Sequence, residues 1–165
     1  MKKEKSCGAV VYKIINDQRY YLVEKMNLGH TSIPKGHVEP TDKNDEDTAR
    51  REIKEETSLN VTIDTGFKHH INYSPFPGID KDVYFFVAEC KEDTIAHDDH
   101  DDEVKSCIWL PIKEAIDAVT FETDKETLRK ADEYLKNRNN PLYRSVMKTL
   151  TNANRDKFKE ENDVK

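Results

Sequence analysis

The chain has 165 residues, 36% of them charged, with 27 Lys and Arg against 33 Asp and Glu and a formal net charge of −6. That length suits one domain, which hides roughly 70% of the surface its unfolded chain exposes, and the acidic balance argues against a nucleic-acid groove, which usually shows as a basic patch. No apolar run approaches the roughly 18 residues that cross a bilayer, and the basic start MKKEKS leads into only a short apolar stretch, so neither leader nor membrane anchor is expected. Cys7, Cys90 and Cys107 are odd in number and far apart, which suits a reducing cytoplasm rather than a disulfide or zinc framework.

In chain order, Ser6 to Lys13 and Tyr20 to Lys25 are β-branched and aromatic runs around Asn16-Asp17-Gln18, which predicts a hairpin. Asn27 to Thr31 reads as a loop, and Pro34 and Gly36 interrupt any long element after it. From Asp45 to Thr57 the pattern turns helical, with Ala49 and Ile53 four apart and charge almost everywhere else, so the helix buries one narrow stripe. Strands are expected at Leu59 to Ile63, Gly66 to Tyr73 and Val83 to Cys90. An acidic loop from Glu92 to Glu103 precedes a strand from Val104 to Leu110, closed by Pro111. Ile112 to Val119 suggests a short helix and Asp124 to Asn137 a longer one, with Leu128, Ala131 and Leu135 on one face. After Asn139-Asn140-Pro141, Leu142, Val146 and Leu150 keep helical spacing before the apolar residues give out and the end frays. The expected division is a domain over residues 1–138 and a helical extension with a frayed tail over 139–165.

The chemistry concentrates between Gly36 and Leu59. Glu52, Glu55 and Glu56 are spaced i, i+3, i+4 and therefore share one face of the helix. Like charges at that spacing repel, and hard divalent cations with oxygen ligands are the natural compensation. Taken alone, the triplet reads more readily as a solvated face neutralised by Arg50, Arg51 and Lys54. Its surroundings reverse that judgement.

Gly36, five residues, Asp42, eight residues, then Arg51-Glu52-Ile53-Lys54-Glu55-Glu56-Thr57-Ser58-Leu59 resembles the Nudix box. It departs from that box in one extra residue between Asp42 and Arg51 and in Ser58 where the family has Gly; neither removes a carboxylate. The resemblance implies a Nudix-type α/β/α sandwich, with a mixed, mostly antiparallel sheet between the box helix and the helix from Asp124. It also implies a pyrophosphohydrolase dependent on Mg2+, with Mn2+ a substitute, whose metals are held by Glu52, Glu55, Glu56 and the Gly36 carbonyl. Paired divalent ions neutralise phosphoryl oxygens and activate a water, which supplies the positive field that an acidic protein lacks.

A narrower resemblance rests on PKGHVEP (Pro34 to Pro40), GFKHHINY (Gly66 to Tyr73), DVYFFVAE (Asp82 to Glu89) and HDDEVKSCIWL (His100 to Leu110). These segments are similar to the asymmetrically cleaving diadenosine tetraphosphate hydrolases, the bis(5′-nucleosyl)-tetraphosphatases. That implies Lys35 and His37 near the phosphates, Tyr73 and Tyr84 supporting phosphate or adenine binding, and Glu103 near the metals as ligand or base, with Glu55 and Glu103 as the catalytic carboxylates. The tyrosines lie in strands, where aromatics commonly serve packing. His69 and His70 alternate across a strand, so at most one faces the site and neither is assigned. Of the run His97 to Glu103 only Glu103 is promoted. The partner implied is a small dinucleoside polyphosphate, cleaved to a nucleoside triphosphate and a monophosphate. Nucleoside triphosphates, RNA 5′ ends (capped or triphosphorylated) and diphosphoinositol phosphates are the alternative substrates, and a non-catalytic nucleotide-binding module is the alternative class. No membrane partner is expected, and oligomeric state stays open.

Overall fold

In the computed structural model, which describes residues 1–92 and 103–163, the first hairpin joins β1 (Lys2–Ile15) to β2 (Gln18–Met26) through Asn16 and Asp17. Both turn residues have positive φ, 51° and 66°. A two-residue turn of that kind matches the right-handed twist of its strands, and Asn and Asp tolerate the conformation better than most side chains. β1 begins at Lys2, four residues before the apolar run. The charged segment Lys2–Lys5 is strand because it pairs in parallel with Ile79–Asp82 of β6 (Ile79–Glu89), and a ladder satisfies backbone groups whatever the side chains are.

β1 and β2 pair only between Tyr12/Tyr21 and Ile15/Gln18, then diverge. Two short strands occupy the resulting fork: β3 (Thr31–Ser32) on β2 and β4 (Lys35–His37) on β1. β5 (Thr62–Tyr73) lines the far side of β6, and β7 (Val104–Leu110) pairs with β2. The order is β3-β2-β1-β6-β5, with β4 on β1 and β7 on β2. Among the described residues every pairing is antiparallel except β1 with β6, so the sheet is mixed and mostly antiparallel, as the sequence implies. The two strands expected between Leu59 and Tyr73 are corrected to one. The Gly66 amide donates to Asp64 Oδ1 (2.8 Å) and the register slips between Asp64 and His69, which makes a bulge within β5 rather than a break. Leu59 precedes β5 and is buried in the core instead.

α1 (Asp45–Thr57) covers the sheet face that carries Cys7, Ala9 and Val11 of β1, Leu22 of β2, and Phe86 and Ala88 of β6. Its Ala49 and Ile53 are fully buried in that layer, a burial worth roughly 1.5–3 kcal/mol for the Ile side chain alone. Asp45 fastens the first turn of α1 to the sheet through Lys5 Nζ (2.8 Å) and Lys68 Nζ (3.2 Å). α2 (Ile112–Ala118) contacts β2 and β7, and α3 (Glu122–Asn137) follows. α3 begins on the other face of the sheet. Gly8 alternates with Cys7 and Ala9, its cross-strand partner Lys35 points the same way, and Asp124 in the first turn of α3 interacts with Lys35 and His30.

The chain divides into two compact units, Met1–Ala131 and Asp132–Lys165. The second comprises the last turns of α3 and α4 (Pro141–Asp163), whose helix continues well past Leu150. Asn140 Oδ1 accepts from the Leu142 amide (3.0 Å) at its start, and Leu142, Val146, Met147 and Leu150 are exposed along it. Among the described residues no helix is long and apolar enough to cross a membrane.

α1 ends on Ser58, which takes the left-handed conformation (φ 62°, ψ 10°) while its amide donates to the Lys54 carbonyl (2.9 Å). That conformation costs a non-glycine residue roughly 1–2 kcal/mol. Ser58→Gly is expected to raise stability by about 1 kcal/mol, or about 2–4 °C in Tm for a chain of this size, read by thermal melting.

Candidate active site

The site is organised by Arg51, at the middle of α1. Its Nε and Nη2 donate to Asp42 Oδ1 and Oδ2, each at 2.9 Å, a bidentate pair that ties the loop before α1 to the helix. Nη2 also donates to the His37 carbonyl (2.9 Å), which anchors the end of β4. Nη1 turns the other way, to Glu52 Oε1 (2.9 Å) and to Glu55 Oε1 and Oε2 (3.2 and 3.3 Å), with Glu39 Oε1 at 3.6 Å. Asp42 is nearly enclosed. It also accepts from the Glu39 amide (2.9 Å) and the Thr48 hydroxyl (2.8 Å). Arg51 holds the Asp42 carboxyl well below the usual carboxylate range, and Asp42 in turn raises the pKa of Arg51.

α1 starts where it does because Asn44 caps it, its Oδ1 accepting from the Asp47 amide (2.8 Å), with Asp45, Glu46 and Asp47 in the first turn where the helix dipole favours acids. From Arg51 to Glu56 the chain is continuous helix within α1. Glu52 lies against β4. A Cβ on Gly36 would run into the Glu52 carboxylate, so only glycine lets helix and strand approach this closely. Burial raises the Glu52 pKa and Arg51 opposes that rise. Glu55 is 54% exposed, whereas Glu56 is 4% exposed and faces inward with Ile53 and Ala49.

These positions bring Gly36, Glu52, Glu55 and Glu56 together around one turn of helix. The donors are carboxylates beside a main-chain carbonyl, a hard oxygen set that fits Mg2+ or Mn2+. Among the described residues no three carboxylate, imidazole or thiol groups converge as a finished ligand set, and Glu52 and Glu55 both accept from Arg51 Nη1. Glu103 immediately precedes β7, and its carbonyl accepts from the Asn27 amide (2.8 Å) just beyond β2. That is the forked end of the sheet, where β3 and β4 lie. Asp101 and Asp102, with the acidic run from His97, lie outside the described residues.

Lys35 and His37 flank Gly36 and, by alternation along β4, point to the face opposite α1. Tyr73 joins them there, with Lys35 Nζ 5.6 Å from its ring centroid. Tyr84 does not. It is the parallel neighbour of Cys7, so it faces α1, where Lys68 (4.8 Å) and Lys5 (5.2 Å) lie over its ring and His70 stacks on it at 4.6 Å. The two tyrosines are therefore on opposite faces of the sheet.

Three further residues belong to this neighbourhood. Lys81 pairs directly across from Tyr73. Asp124 is 2% exposed behind Lys35 and His30, and burial raises its pKa. Glu24, 1% exposed, shares the α1 face of β2 with Leu22. Glu24 has a sequence signal, since it is the one charge inside YYLVE at a core-facing parity. Lys81 and Asp124 have none, because each reaches the site only through strand register or helix docking.

The NUDIX domain family matches residues 6–131 of this chain. The mouse bis(5′-nucleosyl)-tetraphosphatase (asymmetrical) is 30% identical over 142 residues, covering 79% of this chain and 95% of the mouse protein, and the rat protein of that name is 30% identical over 148 residues with the same coverage. The crystal structure of a C. elegans Ap4A hydrolase binary complex superposes with a TM-score of 0.73 at 24% identity, covering 81% of this chain and 98% of that one.

A carboxyl whose folded pKa is lowered contributes stability that is fully present above its unfolded value, about 4, and lost as pH falls toward the folded value. Asp42→Asn is therefore expected to lower Tm at pH 7, with the gap to the unaltered protein narrowing below about pH 4; melting at pH 7 and pH 3 reads both.

Proposed function

Since this chain belongs to the Nudix family and is a Nudix hydrolase, we propose that its substrates are diadenosine tetraphosphate and related dinucleoside polyphosphates, cleaved asymmetrically to a nucleoside triphosphate and a monophosphate. The observation that carries this reading is the 30% identity to a protein of that name across 95% of its length. The hydrolase domain is taken as residues 1–138, with 139–165 an extension. The three free cysteines support a cytoplasmic setting.

Glu52, Glu55, Glu56, Glu103 and the Gly36 carbonyl are assigned to hold Mg2+ or Mn2+, which when bound supplies charge neutralisation on the phosphoryl oxygens and an activated water. The other steps fall to the chain itself. Arg51 holds Glu52 and Glu55 in place by hydrogen bonds, and its second arm holds the His37 carbonyl so that β4 cannot drift from α1. Lys35 and His37, on the opposite side of Gly36, offer positive charge to the phosphate chain. Tyr73 beside Lys35 receives a nucleoside. Tyr84 keeps a share in substrate binding only on the α1 face, beside Lys5 and Lys68. Glu55, exposed at the outer edge of the cluster, and Glu103 at the loop-strand junction are the carboxylates assigned to proton transfer.

Diadenosine tetraphosphate incubated with the protein in Mg2+ or Mn2+ is expected to give ATP and AMP on chromatography. Two ADP molecules per substrate, or undiminished turnover in excess chelator, would contradict the proposal. Glu56→Gln is expected to cost at least about a hundredfold in turnover, the scale of a removed electrostatic stabiliser, while the protein stays folded.

A further inference from the structure

The segment from Tyr134 to Leu150 reverses the charge of the chain it belongs to. It holds Lys136, Arg138, Arg144 and Lys148 and no acid, in a protein whose formal net charge is −6. All of it lies in the second compact unit, across the end of α3 and the first turns of α4. At about 100° per residue, Leu142, Val146, Leu150 and Ala153 fall within an arc of about 80° on α4. All four are exposed, Leu142 to 72% and Leu150 to 52%.

The opposite side of α4 carries Arg144 and Lys148, with Ser145 and Thr149 beside them, and all of these are exposed too. Lys136 is matched by Asp132 at 2.9 Å. Arg144 and Lys148, by contrast, have no ion-pair partner among the described residues. The helix is therefore amphipathic, with an uncovered apolar row and two cations whose charge nothing in the chain answers.

What covers such a helix has to be apolar at its centre and anionic around it. A second copy of α4 is not, since it would set Arg144 and Lys148 against more cations, and a four-residue row is far short of the roughly 20–30 residues a side of a stable protein interface. A bare polyanion would leave the row in water. An anionic lipid surface meets both needs, because acyl chains accept the apolar side chains at shallow depth while headgroup charge attracts the cations across a helix only about 10 Å wide. Screening confines that attraction to about 8 Å at physiological salt, so the local charge of α4 decides it rather than the charge of the whole chain.

We propose that α4 is an interfacial helix that docks this protein on an anionic lipid surface, lying in the headgroup plane with Leu142, Val146 and Leu150 inserted. A helix that lies on a bilayer need not be long enough to cross it, so the expectation of no membrane partner, which weighed spanning runs and leaders, does not bear on this mode of binding. So short a row makes the docking reversible.

The test sediments the full chain with vesicles of phosphatidylcholine and phosphatidylserine in equal parts, and with vesicles of phosphatidylcholine alone, in excess chelator so that no divalent ion bridges protein and lipid. Binding to the mixed vesicles is expected to be at least about tenfold tighter, since each cation near an anionic surface adds about fivefold. Arg144→Gln with Lys148→Gln is expected to weaken it about twentyfold, and Leu142→Ala with Leu150→Ala at least about tenfold. No binding to the mixed vesicles, equal binding to both kinds, or charge-pair variants that bind as the unaltered protein does would overturn the proposal. Should the apolar pair lower the melting temperature, the charge pair alone decides. A concentration-dependent dimer lost in the apolar pair, or capture of polyglutamate without capture of vesicles, would assign the face to a second copy or to an acidic protein and overturn the lipid reading.

Discussion

Three carboxylates on one turn of a helix would fly apart if nothing held them, and the rest of this site depends on how that repulsion is met. Arg51 meets it in part. One guanidinium reaches Asp42, the His37 carbonyl, Glu52 and Glu55 with four or more charge-assisted hydrogen bonds, so a loop, a strand and two of the three acids take their positions from it. Arginine suits this post where lysine would not, since its planar fork addresses Asp42 with two parallel bonds and still has a third nitrogen free to face the other way. Glu56 is buried beside Ile53, and Glu55 lies exposed at the outer edge of the cluster. A divalent cation on the same oxygens is the compensation proposed above for their repulsion.

The fork in the sheet places this cluster. β1 and β2 part after four paired residues, and the gap between them admits β4, whose Gly36 is bare enough for the Glu52 carboxylate to press against it. Alternation along those three residues then divides the labour. Gly36 turns to α1 and its acids, while Lys35 and His37 turn to the opposite face with Tyr73. Carboxylates and cations thus take opposite faces of one short strand.

The parts of this arrangement that depend on local spacing were legible in the sequence. α1 runs from Asp45 to Thr57, the limits that the charge pattern and the Ala49 and Ile53 stripe predict, and β7 likewise occupies Val104–Leu110. Asn16-Asp17 announced the hairpin, and the box spacing placed Gly36, Glu52, Glu55 and Glu56 around one turn. Parts that depend on pairing between distant segments were not legible. The charged Lys2–Lys5 becomes strand only through β6, the bulge in β5 only through the Asp64 side chain, and β3 and β4 only because the sheet forks. Tyr73 and Tyr84 look equivalent in sequence, each an aromatic in a strand. Register alone decides that one faces Lys35 and the other lies under α1, and register follows from cross-strand partners that no single strand encodes.

The claim that the crowded acids of α1 await a cation is tested most directly by thermal melting across a Mg2+ titration, with no substrate present. A ligand at a hundred times its Kd that binds only the folded state stabilises it by about 2.7 kcal/mol, or about 5–10 °C for a chain of this size. The account predicts a rise of that order in the unaltered protein and little or none in Glu56→Gln. An equal rise in both proteins, or no rise in either, would contradict it.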